Sequence, residues 1–70
     1  MATASAGRQS VTDDEIVTLL YASEWPLGST EVAEHFDMSQ QAAYYRLARL
    51  VEDGRVEKRT TGGTTLWRPV

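Results

Sequence analysis

Between Met38 and Trp67 the chain reads MSQQAAYYRLARLVEDGRVEKRTTGGTTLW: a serine, an amphipathic stretch, a glycine, then two β-branched runs split by a glycine pair. Few folds accept that order. Ser39 suits a helix N-cap, Ala43, Leu47, Leu50 and Val51 recur at helical spacing, and Gly54 stands where a left-handed C-cap belongs. The spacing predicts a helix over about 40–53. Val56–Thr60 and Thr64–Arg68, separated by Thr61, Gly62 and Gly63, predict a hairpin. Val56 and Leu66 are expected to point inward. Alternation leaves Trp67 open, either covering the core edge or exposed.

Upstream, Thr12 and Glu15 form a capping-box pattern ahead of an Ile16, Leu19, Leu20 stripe with Val17 and Tyr21 at its edge. This predicts a helix over about 13–23, stopped before Pro26. Trp25, Pro26, Leu27 and Gly28 make an extended connector. Ser29 is the expected N-cap of a second, short helix with an apolar face of Val32, Ala33 and Phe36, and Asp37 with Met38 makes the next turn. The sum is an α+β chain of three helices followed by a two-stranded hairpin, with room for a short third strand near Leu27. Residues 1–11 are read as a flexible tail and 12–70 as one domain.

Size and composition narrow the function. A chain of 70 residues buries only about 60% of the surface that its unfolded form exposes, which leaves no room for a separate catalytic domain. Cysteine is absent, so neither a disulfide framework nor a thiolate metal site is available. No phosphate-cradling glycine loop and no second histidine for a relay accompany His35, so an enzyme is not expected. His35 is read as a surface side chain, because a metal site needs more ligands. Neither a signal peptide nor a membrane span is visible. The expectation is a cytoplasmic protein without cofactor or small-molecule ligand.

The formal net charge of −3 hides an uneven distribution. Asp13, Asp14, Glu15, Glu24, Glu31, Glu34 and Asp37 fall between residues 12 and 37 with no Lys or Arg. From residue 38 onward Arg46, Arg49, Arg55, Lys58, Arg59 and Arg68 outnumber Glu52, Asp53 and Glu57. An asymmetry of this kind points to a nucleic-acid face.

With Ala43 at the core centre, Gln41, Ala42, Tyr45 and Arg49 fall on the outward side of the third helix, and Tyr44 and Arg46 on its flanks. Gln can pair with adenine, Arg with guanine, and Ala42 lets the backbone approach or meets a thymine methyl. Ser39 and Gln40, at the helix start, suit phosphate. In the hairpin, Lys58, Arg59 and the tip from Thr60 to Thr65, with Thr61, Gly62 and Gly63 at its centre, suit the flanking backbone or a narrow minor groove. Double-stranded DNA is the expected partner.

From Thr12 to Val70 the chain resembles the winged helix-turn-helix domains of small archaeal transcription regulators, haloarchaeal ones in particular. STEVAEHFDMSQQAAYYRLARLVEDGRVEKR is similar to the pattern in which a second helix, a turn and a recognition helix end in Leu-x-x-Leu, an acidic pair, Gly and a basic first wing strand. The resemblance implies sequence-specific duplex binding through Ser39, Gln40, Gln41, Tyr45 and Arg46. A salt-adapted source fits the Arg-dominated basic residues and the pI of about 4.9. One copy reads a half-site, so a weak homodimer is expected, with Val17, Tyr21 or Trp25 as contacts. The alternative is a protein-interaction module in which Tyr44, Tyr45 and Trp67 form an aromatic patch.

Overall fold

Thr12 sets where the chain first turns helical. In the computed structural model, which describes residues 11–70, its hydroxyl accepts from the Glu15 amide at 3.1 Å while the Glu15 carboxylate accepts from the Thr12 amide at 2.8 Å. This reciprocal cap starts α1, Asp13–Ala22. The expected tail over residues 1–10 lies outside the described residues, and its eleventh position is corrected. Val11 is buried in the same cluster as Ile16, the apolar pair that brackets a capped N-terminus as a hydrophobic staple. The α1 stripe is also rotated from the expected one: Ile16, Val17 and Leu20 are buried and Leu19 only half-buried.

The connector supplies β1, Leu27–Gly28, and α2 follows at Ser29–Phe36. Gly28, not Ser29, is the N-cap, and its amide donates to the Glu31 carboxylate at 2.8 Å. Asp37 then adopts the left-handed conformation at φ 57°, the Asp37 amide donates to the Glu34 carbonyl at 3.4 Å and the Met38 amide to the Ala33 carbonyl at 2.9 Å. That is a Schellman termination with aspartate where glycine is usual. The turn lets Ser39 cap α3, Gln40–Glu52, by accepting from the Ala42 amide at 3.0 Å. A second Schellman termination ends α3: Gly54 takes φ 78°, and the Gly54 and Arg55 amides donate to the Val51 and Leu50 carbonyls, each at 3.0 Å.

The hairpin is β2, Val56–Thr61, and β3, Thr64–Pro69, with β1 on the other side of β3 and both pairings antiparallel. Gly62 and Gly63, at φ 56° and 83°, form the turn alone. Both central residues have positive φ, as in the tight hairpin turn whose twist matches the strands. Thr61 is therefore not loop but the last residue of β2, opposite Thr64.

Register decides which β3 residues reach the core. Val56 pairs with Pro69 and Lys58 with Trp67, and directly opposed residues share a face. Trp67 and Val56 thus point inward, and both are buried. Leu66 falls on the other face and is half-buried, against expectation. Trp67 is completely buried; its Nε1 donates to Ser29 Oγ at 2.9 Å, and the Tyr44 ring meets its indole edge-on at 5.3 Å between centroids. Ser29, the first residue of α2, has exchanged a capping role for this bond. Three helices closed by this small sheet make the α+β winged helix-turn-helix.

Ser29→Ala strands a buried indole N–H, so unfolding in urea is expected to show a loss of about 1–3 kcal/mol. In a double-mutant cycle with Trp67→Phe the serine effect should shrink, because the donor has gone. Equal serine effects in both backgrounds would mean that the bond contributes nothing.

Candidate nucleic-acid interface

On α3, Gln41, Tyr45 and Arg49 follow one another at four-residue spacing and all three are exposed, as is Ala42 beside them. Tyr45 keeps 63% of its surface in solvent. The opposite side of the helix, Ala43, Leu47 and Leu50, is buried, with Val51 half-buried at its rim. The row is thus held by the core packing behind it. Gln40 is exposed at the helix start, where the leading amides have no partner within the helix.

The cations divide into two groups. Arg46 is half-buried and turned back toward α1: its Nη2 donates to Asp13 Oδ1 at 2.9 Å and to the Val11 carbonyl at 2.7 Å. It braces α3 against the start of α1 and does not extend toward the row formed by Gln41, Tyr45 and Arg49. Arg55 pairs with Asp14 at 2.6 Å, and the hydrogen bond to that carboxylate raises its pKa further. Arg68 pairs across the strands with Glu57 at 2.9 Å. Among the described residues Arg49, Lys58 and Arg59 are left without an ion pair. Among the described residues these three are the cations available to an outside anion.

The sheet separates two of them. Lys58 shares the face of Trp67, the side turned to the helices, whereas Arg59 is opposite Leu66 on the outer face. Adjacent in sequence, their side chains leave the sheet on opposite faces. Thr61, Gly62 and Gly63 are exposed at the tip, and the Thr60 and Thr65 hydroxyls bond to each other at 3.3 Å. A hollow of about 450 Å³ between the wing and the helices brings Gln40 and Tyr44 together with Gly63, Thr64 and Thr65. Thr64 and Thr65 belong to the tip expected to meet the backbone, and Thr65, two residues from Trp67, lies on the helix side.

The aromatic residues sort differently from expectation. Trp67 has no exposed surface, so a partner-binding patch of Tyr44, Tyr45 and Trp67 loses its third member. Tyr44 is 40% exposed and leans on the buried indole. His35 is exposed and packs edge-on against Phe36 at 4.8 Å. Of the three residues expected at a homodimer contact, Val17 is buried and only Tyr21 and Trp25 are free to make one.

No family model and no curated protein matches the sequence. In fold the chain is similar to part of human N-acetylserotonin methyltransferase, solved in complex with SAM, with a TM-score of 0.73 at 24% identity. The likeness covers 79% of this chain and 16% of that one. It shows the shared fold alone, since one fold carries many functions.

Arg46→Ala and Arg49→Ala should part company in unfolding experiments. The first removes a partly shielded ion pair and a carbonyl contact and is expected to cost about 1 kcal/mol. The second is expected to stay within about 0.5 kcal/mol of the parent. A destabilising Arg49→Ala would show that Arg49 has a structural role.

Proposed function

We propose that the chain binds duplex DNA as a small transcription regulator, α3 lying in the major groove and the wing on the flanking backbone. The observation that carries this reading is the sorting of charge. Arg46, Arg55 and Arg68 are held by carboxylates, whereas Arg49 lies in the exposed Gln41, Tyr45 row and Lys58 on the wing face turned to the helices. Gln41 and Arg49 have the donor and acceptor sets that read base edges, and Ala42 keeps the helix close to them. Tyr45 supplies a large flat surface between them.

Each role follows from position. Ser39 spends its hydroxyl on the Ala42 amide, so its contribution is to orient the helix start. Gln40 and the Gly62–Gly63 tip sit to either side of the hollow that a sugar–phosphate strand would cross. Arg59, on the outer face of the wing, is suited to a phosphate beyond the one that Lys58 meets. Arg46 enters this reading as the brace that sets the tilt of α3.

The three cations without an ion pair among the described residues set the electrostatic scale. Displacing counterions from three phosphates gives a slope of about −2.7 for log K against log salt concentration per copy. Fluorescence anisotropy with a mixed-sequence duplex between about 50 and 300 mM salt measures it. Arg49→Ala and Lys58→Ala should each reduce the slope by about 1, while Arg55→Ala and Arg68→Ala should leave it unchanged. Amide shifts on adding duplex should fall on Ser39–Arg49 and Thr60–Thr65. If affinity ignores Arg49 and Lys58, or the shifts fall on α1, this reading is wrong.

A further inference from the structure

The sheet order β1-β3-β2 leaves β2 as an edge strand over its whole length, Val56–Thr61. Backbone phase decides which of its groups are open. The Val70 amide donates to the Arg55 carbonyl at 3.2 Å, and these two residues continue the register that sets Glu57 against Arg68 and Arg59 against Leu66. Hydrogen-bonded and non-hydrogen-bonded pairs alternate along an antiparallel ladder, so the odd-numbered residues of β2 bond to β3, while Val56, Lys58 and Thr60 turn their backbone groups away from it. Among the described residues no backbone bond outside the hairpin engages those three. A hollow of about 460 Å³ follows this edge, with Val51 of α3 on one side, Leu66 of the outer face on the other, and Val56, Glu57, Lys58 and Arg59 between them. Successive side chains of a strand alternate faces, so an occupant that meets all four must run along the edge and present groups to both sides. An added strand does this.

Parity weighs against a second copy as that strand. The open groups of β2 all lie on even-numbered residues, so a two-fold antiparallel pairing of two β2 strands must oppose even to even, and one residue then faces its own symmetry mate. In the two registers with most overlap that residue is Lys58 or Arg59, and like charges directly opposite are destabilising. Glu57, which faces Arg59 when the centre is Lys58, is already held by Arg68 at 2.9 Å.

We propose that β2 docks an extended segment of a partner protein, antiparallel to it, with two adjacent carboxylates opposite Arg59 and Lys58. Neither cation has an ion pair among the described residues. Because they leave the sheet on opposite faces, two neighbouring acids of one incoming strand meet one cation each. Two residues beyond the second acid, an apolar side chain falls opposite Val56 and beside half-buried Val51. Charges on an edge strand ordinarily bar other chains. Here they bar the copy and admit an acid, since specificity uses repulsion and attraction together. On the proposed function the same two cations meet phosphate, so docking withdraws them from a duplex, but the contact itself does not depend on DNA.

Amide NMR of the full chain, titrated without DNA by the end-capped synthetic peptide TEETVT, tests it. Saturable shifts centred on Val56–Thr60 are expected, with Kd about 0.1–1 mM for so short a strand. The peptide TKKTVT should bind at least about tenfold more weakly, and the double substitution Lys58→Glu with Arg59→Glu should reverse that preference. N-methylation separates strand addition from charge attraction alone. On the amides of the second Glu and the Val, which face β2, it should weaken binding at least about tenfold, whereas on the first Glu and the central Thr it should change binding less than about twofold. No shift at about 5 mM TEETVT, equal binding of TKKTVT, or equal tolerance of the two methylation patterns would overturn the proposal. So would concentration-dependent shifts on Val56–Thr60 in the chain alone, which would put a second copy on the edge. No duplex is present in this titration, so its failure leaves duplex-induced shifts on α3 intact, and absence of those shifts leaves the peptide result intact.

Discussion

A buried indole needs one hydrogen-bond acceptor, and the chain supplies it from the first residue of α2. The bond from Trp67 to Ser29 joins the sheet to the helix that precedes α3, and the Tyr44 ring on the same indole joins α3 to the pair. A tryptophan with no exposed surface at the meeting of β3, α2 and α3 fixes the angle between the hairpin and the exposed row of α3. Without that contact, a two-stranded hairpin would be marginal in water. The wing is a wing because its second strand is anchored in the core.

Electrostatics repeats this division between holding and presenting. Asp13 and Asp14 sit at the start of α1, where a helix N-terminus favours acids, and both reach beyond their own helix to Arg46 and Arg55. Each partner is more than thirty residues away in sequence. The aspartates thus serve α1 locally and tie it to α3 and the loop after it. Arg49 was left out of that network, and its isolation, more than its charge, marks the exposed side of α3.

Local rules carried the helices and failed where tertiary contact competes. Thr12, Ser39 and Gly54 act as their positions predict, because caps depend on residues within one turn of chain. Ser29 does not, since a buried partner thirty-eight positions away has claimed its hydroxyl and Gly28 with Glu31 can terminate the helix instead. Leu66 was expected inward and Trp67 was left open for a related reason. Both are apolar and adjacent, and only the pairing with β2, fixed by the two-residue turn, says which faces inward. Val11 was readable as a staple to Ile16, but its burial also depends on packing with residues far along the chain. For the candidate interface, the outward row on α3 follows from periodicity alone. The retirement of Arg46 does not, because Asp13 carries no sign in the sequence of being its partner.

On the proposed function, the distribution of acid does more than lower the net charge. The −7 segment, residues 12–37, makes up α1, the connector and α2, and a duplex approaching from that side is repelled. Arg49, Lys58 and Arg59 provide little attraction at high salt, where counterion release is nearly exhausted. Such a domain gains orientation from its field more than affinity. Discrimination must then come from short-range contacts at Gln41, Ala42, Tyr45 and Arg49, which salt screens far less than it screens approach. One copy offers few of them. On the same reading a second copy on an adjoining half-site would double the set, because once one helix is seated the other acts at high effective concentration.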